Sequence, residues 1–178
     1  MEKQKAQRIS VFVDVQNLFY SARALYNARV NFKSILEEAT AGRMLIRASA
    51  YVIRTEEIKK EQFFDALSRI GYEIKAKDLQ VFAGGAKKGD WDVGIAMDAI
   101  EQAPKIDTIV LVSGDGDFVP LVEHLRRALG CRVEVMAFEK STNKQLKETA
   151  DSFTDLGKNT KKFLIKNTKR TQKMSAKK

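Results

Sequence analysis

A single cysteine, Cys131, and a single histidine, His124, stand in a chain of 178 residues. One cysteine excludes an internal disulfide and a cysteine-built zinc cluster. One histidine leaves almost no nitrogen ligands, so a metal held by this chain is an oxygen-bound one. No apolar run approaches the roughly 18 residues that span a bilayer. The opening "MEKQKAQR" is polar and has no apolar core, so it does not read as a secretion signal. A reducing, cytoplasmic setting is the default. With only two prolines there is no Pro-rich linker, and no internal repeat is visible. What remains is a globular composition, 44% hydrophobic and 31% charged.

Acid is missing from one stretch altogether. Nine of the 32 lysines and arginines lie after Leu156 with no Asp or Glu among them, which leaves 23 basic residues against 23 acidic ones in 1–156. The body is neutral, and the net charge of +9 belongs to the last 22 residues. The reading is a domain over 1–156 followed by a basic, flexible tail over 157–178. Such a tail suits a polyanion such as nucleic acid, with a solubilising role as the plain alternative. Lys158, Lys161, Lys162, Lys166, Lys169 and Arg170 are its candidate phosphate contacts. The apolar Phe163–Ile165 knot inside it can dock or turn helical, and is too short to favour a membrane surface.

Along the body, strand and helix alternate. "ISVFVDV" (9–15) has the near-continuous apolar character of a buried parallel strand. "NLFYSARALY" (17–26) reads helical with Leu18, Ala22 and Leu25 on one side. Asn31 caps a helix over 32–40, whose Phe32, Ile35, Leu36 and Ala39 share a face. Strands follow over 43–53 and 72–83, separated by a helix over 56–71 that Gly71 closes. A helix begins near Trp91, with Val93, Ala96, Met97 and Ile100 as its expected buried side. "IDTIVLVSG" (106–114), a helix over 117–129, and "CRVEVMAF" (131–138) complete the pattern. A helix over 143–150 and a short strand over 152–156 end it. This is an α/β protein with a central, mostly parallel sheet of five or six strands and helices on both faces.

In such sheets, functional groups gather at the carboxyl ends of the strands, where the winding reverses. Asp14 lies at the end of the first strand, and Asp115 and Asp117 lie just past the fourth, in "LVSGDGDF". Two carboxylates so close repel each other unless a cation or proton sits between them. A calcium loop starting at Asp115 fails, because Val119, Pro120 and Arg126 stand where ligands and glycine are required. A dinucleotide fingerprint fails at Val119. A turn built on Asp-Gly survives. "KKGDWDVGIAMDAI" (87–100) adds Asp90 and Asp92 at a helix start, where a capping role explains one acid more easily than two. Asp98 is offset by roughly 120° from Asp92 around that helix. Asp14, Asp92, Asp115 and Asp117 are the oxygen ligands that Mg2+ or Mn2+ takes. Such a site polarises a phosphodiester and generates hydroxide from water at neutral pH. Ser113 and Asn17 are placed to orient ligands or waters. Lys87 and Lys88 stand beside these acids and could contact phosphates. His124 and Cys131 read as packed or surface residues.

"VFVDVQNLFY" resembles the opening D-x-x-N motif of NYN domains. "KGDWDVGIAMDAI" and "LVSGDGDFVPLVEHLRRALGCRVEVMAF" are similar to their second and third motifs, in the same order. The resemblance runs from about Ile9 to Leu156 and is nearest the LabA-like branch of the PIN-like nuclease superfamily. It implies a PIN-like three-layer sandwich and a metal-dependent ribonuclease. The first-motif residues are Asp14 and Asn17; the second-motif acid is Asp92, followed along the helix by Asp98; the third motif supplies Ser113, Asp115 and Asp117. "GDWDV" carries one residue more than many relatives have between glycine and aspartate, which leaves Asp90 or Asp92 as the ligand, with Asp92 favoured by the valine that follows it.

The functional expectation is a ribonuclease that hydrolyses RNA, single-stranded above all, through Mg2+ or Mn2+, with the tail aiding binding. A homodimer is compatible with it, and no membrane partner is expected. The rivals are an RNA-binding adaptor that cleaves poorly, and a nuclease or phosphatase acting on DNA or small phosphate esters. Retention of every acidic position favours catalysis, and the basic tail favours a polymer.

Overall fold

Ile9, Val11 and Val13 point to one side of their strand and Ser10 and Phe12 to the other, yet all five are buried. A strand apolar on both faces belongs in the middle of a covered sheet, and the computed structural model places it there. The structure describes residues 5–58, 61–81 and 87–166. Strand β1 (Arg8–Asp14) leads into α1 (Val15–Tyr26), the short β2 (Ala28–Val30) and α2 (Phe32–Thr40). Next come β3 (Met44–Arg54), α3 (Glu61–Ile70), β4 (Glu73–Asp78), and the two-residue strands β5 (Gln80–Val81) and β6 (Lys87–Lys88). Helix α4 (Asp92–Gln102) then precedes β7 (Thr108–Val112), α5 (Val119–Arg127) and β8 (Arg132–Ala137). The chain closes with α6 (Lys144–Thr149), β9 (Ser152–Asp155), α7 (Thr160–Phe163) and β10 (Leu164–Lys166).

Six strands form one sheet in the order β4-β3-β1-β7-β8-β9, and every neighbouring pair is parallel. The chain winds outward from β1 through β3 to β4, then crosses back to β7 and winds the other way. The reversal falls between β1 and β7, where Val13 pairs with Val112 and the carboxyl ends of both strands lie side by side. One core layer packs Leu18, Ile35 and Leu67 of α1, α2 and α3 against Val11, Val13 and Val110. The other packs Ile95, Val122 and Leu146 of α4, α5 and α6 against Phe12, Leu111 and Val135. The sandwich is three-layered, as expected. No helix among the described residues is long and apolar enough to cross a membrane.

Two expected faces turn out differently. Helix α4 buries Ile95 and Ala99, while Val93 and Met97 are 73% and 62% exposed. The helix lies on β1 through the stripe that begins at Asp92, about a third of a turn from the stripe that apolarity alone selects. Leu25, near the end of α1, is exposed, whereas Leu18 and Ala22 are buried.

The packed chain also continues ten residues past the expected boundary at 156/157. β10 pairs antiparallel with β2, Leu164 opposite Val30, and Phe163 and Leu164 join the α1–α2 core layer. Asn31 ties this segment to the start of α2. Its side chain caps α2 by accepting from the Ser34 N–H, its backbone N–H donates to the Phe163 carbonyl at 2.8 Å, and its Nδ2 donates to the Lys162 carbonyl at 3.2 Å. A flexible tail therefore cannot begin at 157, because the Phe163 ring is inside the molecule. Lys169 and Arg170 lie outside the described residues.

Phe163→Ala should accordingly destabilise the fold by about 3–5 kcal/mol, the usual cost of emptying a buried aromatic site. A chain ending at Lys166 should melt like the full chain, and one ending at Leu156 several degrees lower. Urea unfolding of the three proteins checks this, and equal midpoints for the two truncations would show that the segment's packing is unimportant.

Candidate metal centre

The site is assembled at the seam between β1 and β7. Asp14 ends β1 in extended backbone and caps α1, its Oδ1 accepting from the Asn17 N–H at 3.1 Å. Its Oδ2 accepts from the Ser113 hydroxyl at 3.2 Å, across the seam. Asn17 returns the connection, its Oδ1 accepting from the Gly114 N–H at 2.9 Å. The Asp115 N–H donates to Ser113 Oγ at 3.2 Å, and Asp115 Oδ1 accepts from the Asp117 N–H at 3.0 Å. Asn17 and Ser113 therefore position Asp14 and the loop that carries Asp115.

The two glycines of "SGDGD" answer to space. A Cβ on Gly114 would stand 2.9 Å from Thr142 Oγ1 and 3.1 Å from the Thr142 backbone, and one on Gly116 would stand 2.5 Å from Asn143 Nδ2. The loop is pressed against residues 141–143, and the Asn143 N–H donates to the Gly114 carbonyl at 2.9 Å. That pressure fixes where Asp115 and Asp117 point.

Asp92 arrives from α4, the helix on the α5–α6 side of the sheet. Its carboxylate and those of Asp115 and Asp117 each offer one oxygen, and the three oxygens lie within 4.8 Å of one another. Asp14 lines the same cleft, together with the exposed Asp90, but stands outside that tight group. Between Asp90 and Asp92, it is Asp92 that the structure brings to Asp115 and Asp117. Burial pushes the Asp92 carboxyl up to about 6, helped by the charges of Asp115, Asp90, Asp14 and Asp117. Burial also raises Asp14, against the hydrogen bonds from Asn17 and Ser113. Among the described residues no lysine or arginine pairs with Asp92, Asp115 or Asp117. Among the described residues the cluster's negative charge has no cationic partner.

Asp98 is not part of it. Lys75 Nζ donates to its Oδ2 at 2.6 Å and the Tyr51 hydroxyl at 2.5 Å. Burial pushes Asp98 up, but the two donors outweigh it and hold the carboxyl below its ordinary range. The pair braces α4 against β3 and β4. Of the basic candidates, Lys158, Lys161, Lys162 and Lys166 are exposed but none lines the acidic cleft. Lys162 is engaged with Glu38 at 2.6 Å. Lys87 and Lys88 form β6, which pairs with β5. His124 lies on α5 and Cys131 is buried, its thiol pushed up to about 11 by burial.

Trp91 was not singled out by the sequence, although it precedes Asp92 directly. Its Nε1 donates to the Val52 carbonyl at 3.0 Å, and its ring meets Tyr51 edge-on at 5.5 Å. A Cβ on Gly94 would be 2.5 Å from that ring. The indole pins the start of α4 to β3 and so sets the position of Asp92. The signal was there in the spacing "WDVG", since a glycine three residues after a tryptophan leaves room for the ring to fold over the first helical turn.

A carboxyl raised in the folded state binds its proton more tightly there than in the unfolded chain. Stability without metal should therefore be fullest below about pH 4 as far as Asp92 is concerned, and should fall as pH rises towards about 6. Asp92→Asn should remove that fall and raise metal-free stability at neutral pH by roughly 1 kcal/mol, a modest figure because the group is partly solvated. Millimolar Mg2+ or Mn2+ should stabilise the parent protein and leave the variant less changed. Melting curves between pH 4 and 8, with and without metal, test both; a parent curve flat in pH and metal would remove the clustered charge from the account.

Comparison with known proteins agrees with this architecture. The NYN domain profile matches residues 8–157. The chain is 26% identical over 163 residues to the Low amplitude and bright protein LabA of Synechococcus elongatus, covering 85% of each chain. It is 36% identical to a protein of unknown function from Vibrio parahaemolyticus RIMD 2210633 whose crystal structure superposes with a TM-score of 0.82, over 93% of this chain and 100% of that one. The match spans the sheet, the seam and Asp14, Asp92, Asp115 and Asp117, and the chain belongs to the NYN domain family.

Proposed function

We propose that this protein hydrolyses RNA phosphodiester bonds through a divalent cation held by Asp92, Asp115 and Asp117, with Asp14 as the fourth carboxylate of the cleft. The observation that carries this reading is the convergence of three carboxylate oxygens within 4.8 Å, without a cationic side chain among the described residues to neutralise them. The donor set fits Mg2+ or Mn2+: it is all oxygen and partly open to solvent, as a hydrated hard ion that keeps sites for substrate requires. When bound, such an ion supplies Lewis acidity towards a phosphodiester and the attacking water.

The chain's own residues do the positioning. Ser113 and Asn17 hold the Asp14 carboxylate at the cleft floor, and the Asp115 turn holds Asp117. Clustered carboxylates repel a phosphate, so the cleft admits substrate only once the cation has reversed its charge. Binding at the cleft and cleavage therefore share one metal dependence. The neutral body and cationic C-terminus divide the labour, the tail gripping the backbone at a distance from the chemistry. The choice of RNA rests on the likeness to PIN-like nucleases. Asp14, Asp92 and Asp115 line one cleft and Asp117 groups with the last two, which supports cleavage over an adaptor role.

Full-length protein with Mn2+ should cut labelled single-stranded RNA, with structured RNA and DNA as comparison substrates. Asp115→Asn should lower turnover at least a hundredfold while long RNA still binds, and Asp14→Asn should act in the same direction. Asp98→Asn should act mainly on melting temperature, because that carboxylate is a brace. Wild-type rates from a contaminant-free Asp115→Asn preparation would overturn the reading.

The tail is tested separately, with the truncation that keeps Phe163 in place. A chain ending at Lys166 loses five basic residues, Lys169, Arg170, Lys173, Lys177 and Lys178. If each contacts a phosphate, the slope of log affinity against log salt for single-stranded RNA becomes shallower by up to about 3.5. Titrations at three salt concentrations read this, and superimposable curves would make those residues a solubility element.

A further inference from the structure

One wall of the acidic cleft has no part in the proposed chemistry. Helix α1 begins at its Asp14 cap and lines the cleft with Gln16, Asn17, Tyr20 and Ser21. Three of these are engaged: Gln16 Nε2 donates to the Ile53 carbonyl at 2.7 Å, Asn17 accepts from Gly114, and Ser21 Oγ accepts from Ser141 Oγ at 3.0 Å. Tyr20 is not. It is 44% exposed, and its hydroxyl forms no hydrogen bond among the described residues. Its one ring contact is edge-on, with Phe19 at 5.3 Å and 86°, which leaves a ring face open. Trp91 lines the cleft too, but it is fixed by Val52, with Lys77 Nζ 4.6 Å from its ring centroid. Among the described residues that line the cleft, Tyr20 is the aromatic group still available to a ligand.

Isolated exposed aromatics are ordinary on a protein surface. Two features set this one apart: it lines the same cleft as Asp14, Asp92 and Asp115, and the cleft's volume is about 320 Å³. That volume is at the small end of ligand clefts and suits a single nucleotide. Unpaired bases bind proteins by stacking on aromatic rings, with little regard to sequence, because every base has a π-face.

We propose that Tyr20 is a stacking platform for an unpaired nucleobase next to the phosphate at the acidic cluster, a contact that a base offers once it is free of pairing. The inference rests on the nuclease reading above and adds to it a specificity determinant. Stacking also gives the substrate an attraction that does not depend on charge, at a place where the carboxylates oppose its phosphates.

The test uses the full-length protein with Mn2+ and a short single-stranded RNA, phosphorothioate-linked to slow cleavage and carrying 2-aminopurine, whose fluorescence is quenched when it stacks. Binding should quench the probe. Adding Tyr20→Ala should abolish the quench and weaken binding roughly five- to hundredfold, whereas Tyr20→Phe should preserve both. With an abasic residue in place of the probe base, Tyr20→Ala should cost nothing further. Equal affinity for Tyr20→Ala and its parent, or an equal loss on the abasic strand, would overturn the proposal. If the wild-type protein cuts no RNA yet the Tyr20-dependent quench persists, the nuclease reading fails and the platform stands. If it cuts RNA and Tyr20→Ala leaves both KM and quench unchanged, the platform fails and the nuclease reading stands. Tyr20 is an exposed helical residue, so both variants should melt like their parent.

Discussion

The hydrogen bond from Ser113 Oγ to Asp14 Oδ2 closes the seam between the two central strands, and the rest of the site is arranged around it. Asp14 at one end caps α1, and Ser113 at the other accepts from the Asp115 N–H. Asn17, one turn into α1, holds the Gly114 N–H. Helix start and loop thus brace each other across strands 99 residues apart in the chain. Neither could hold its carboxylate in place alone: a loop carrying two acids one residue apart tends to spread, and a helix start has only its own cap to orient it. Both are held because β1 and β7 are neighbours at the point where the sheet reverses its winding.

The molecule treats buried charge in two contrasting ways. At the amino end of the sheet, Arg43 and Glu134 are both buried and fully paired, at 2.9 and 3.1 Å, and Arg43 also donates to the Ala39 and Thr40 carbonyls at the end of α2. Such a pair adds little net stability against an apolar substitute, but it is costly to break and so fixes how α2 meets β8. At the carboxyl end, Asp14 and Asp92 are partly desolvated with no such partner among the described residues, and both have raised proton affinity. A fold that pairs its charges elsewhere and leaves these unpaired keeps an electrostatic cost that a cation would relieve. Two apolar core layers, one on each face of the sheet, are what allow it to be tolerated.

Around that charged centre the aromatic residues take different tasks. Tyr51 and Trp91 are structural: the first donates to Asp98, the second to the Val52 carbonyl, and together they seat α4 so that Asp92 faces Asp115. Asp98 belongs with them. It is an acid carried along the second motif, but its charge is satisfied by Lys75, which makes it part of the frame. Tyr20 contributes little to the frame, and that freedom is what marks it as a contact for something outside the protein.

The alternation of apolar strands and patterned helices was legible in the sequence, and so were the identities of the acids at strand ends. Both are local matters: a strand buried on two faces is apolar nearly throughout, and an Asp-Gly step favours the turn that ends it. The strand order was not local, and it decided that Asp14 and Asp115 meet. Nor could periodicity find the buried stripe of α4, because Val93 and Met97 are as apolar as Ile95; contact with β1 chose between them. The docking of Phe163 was hidden for a similar reason, since nine basic residues dominate the composition of a segment whose apolar knot has a distant partner in Val30. Sequence by itself determined which acids stand just past the strand ends and which stretches must be covered. Only the tertiary structure decided which carboxylates share a cleft, which one is neutralised by a lysine, and which tyrosine is left open. Those depend on distances between residues far apart in the chain, and such distances are set when two helical layers close over one sheet.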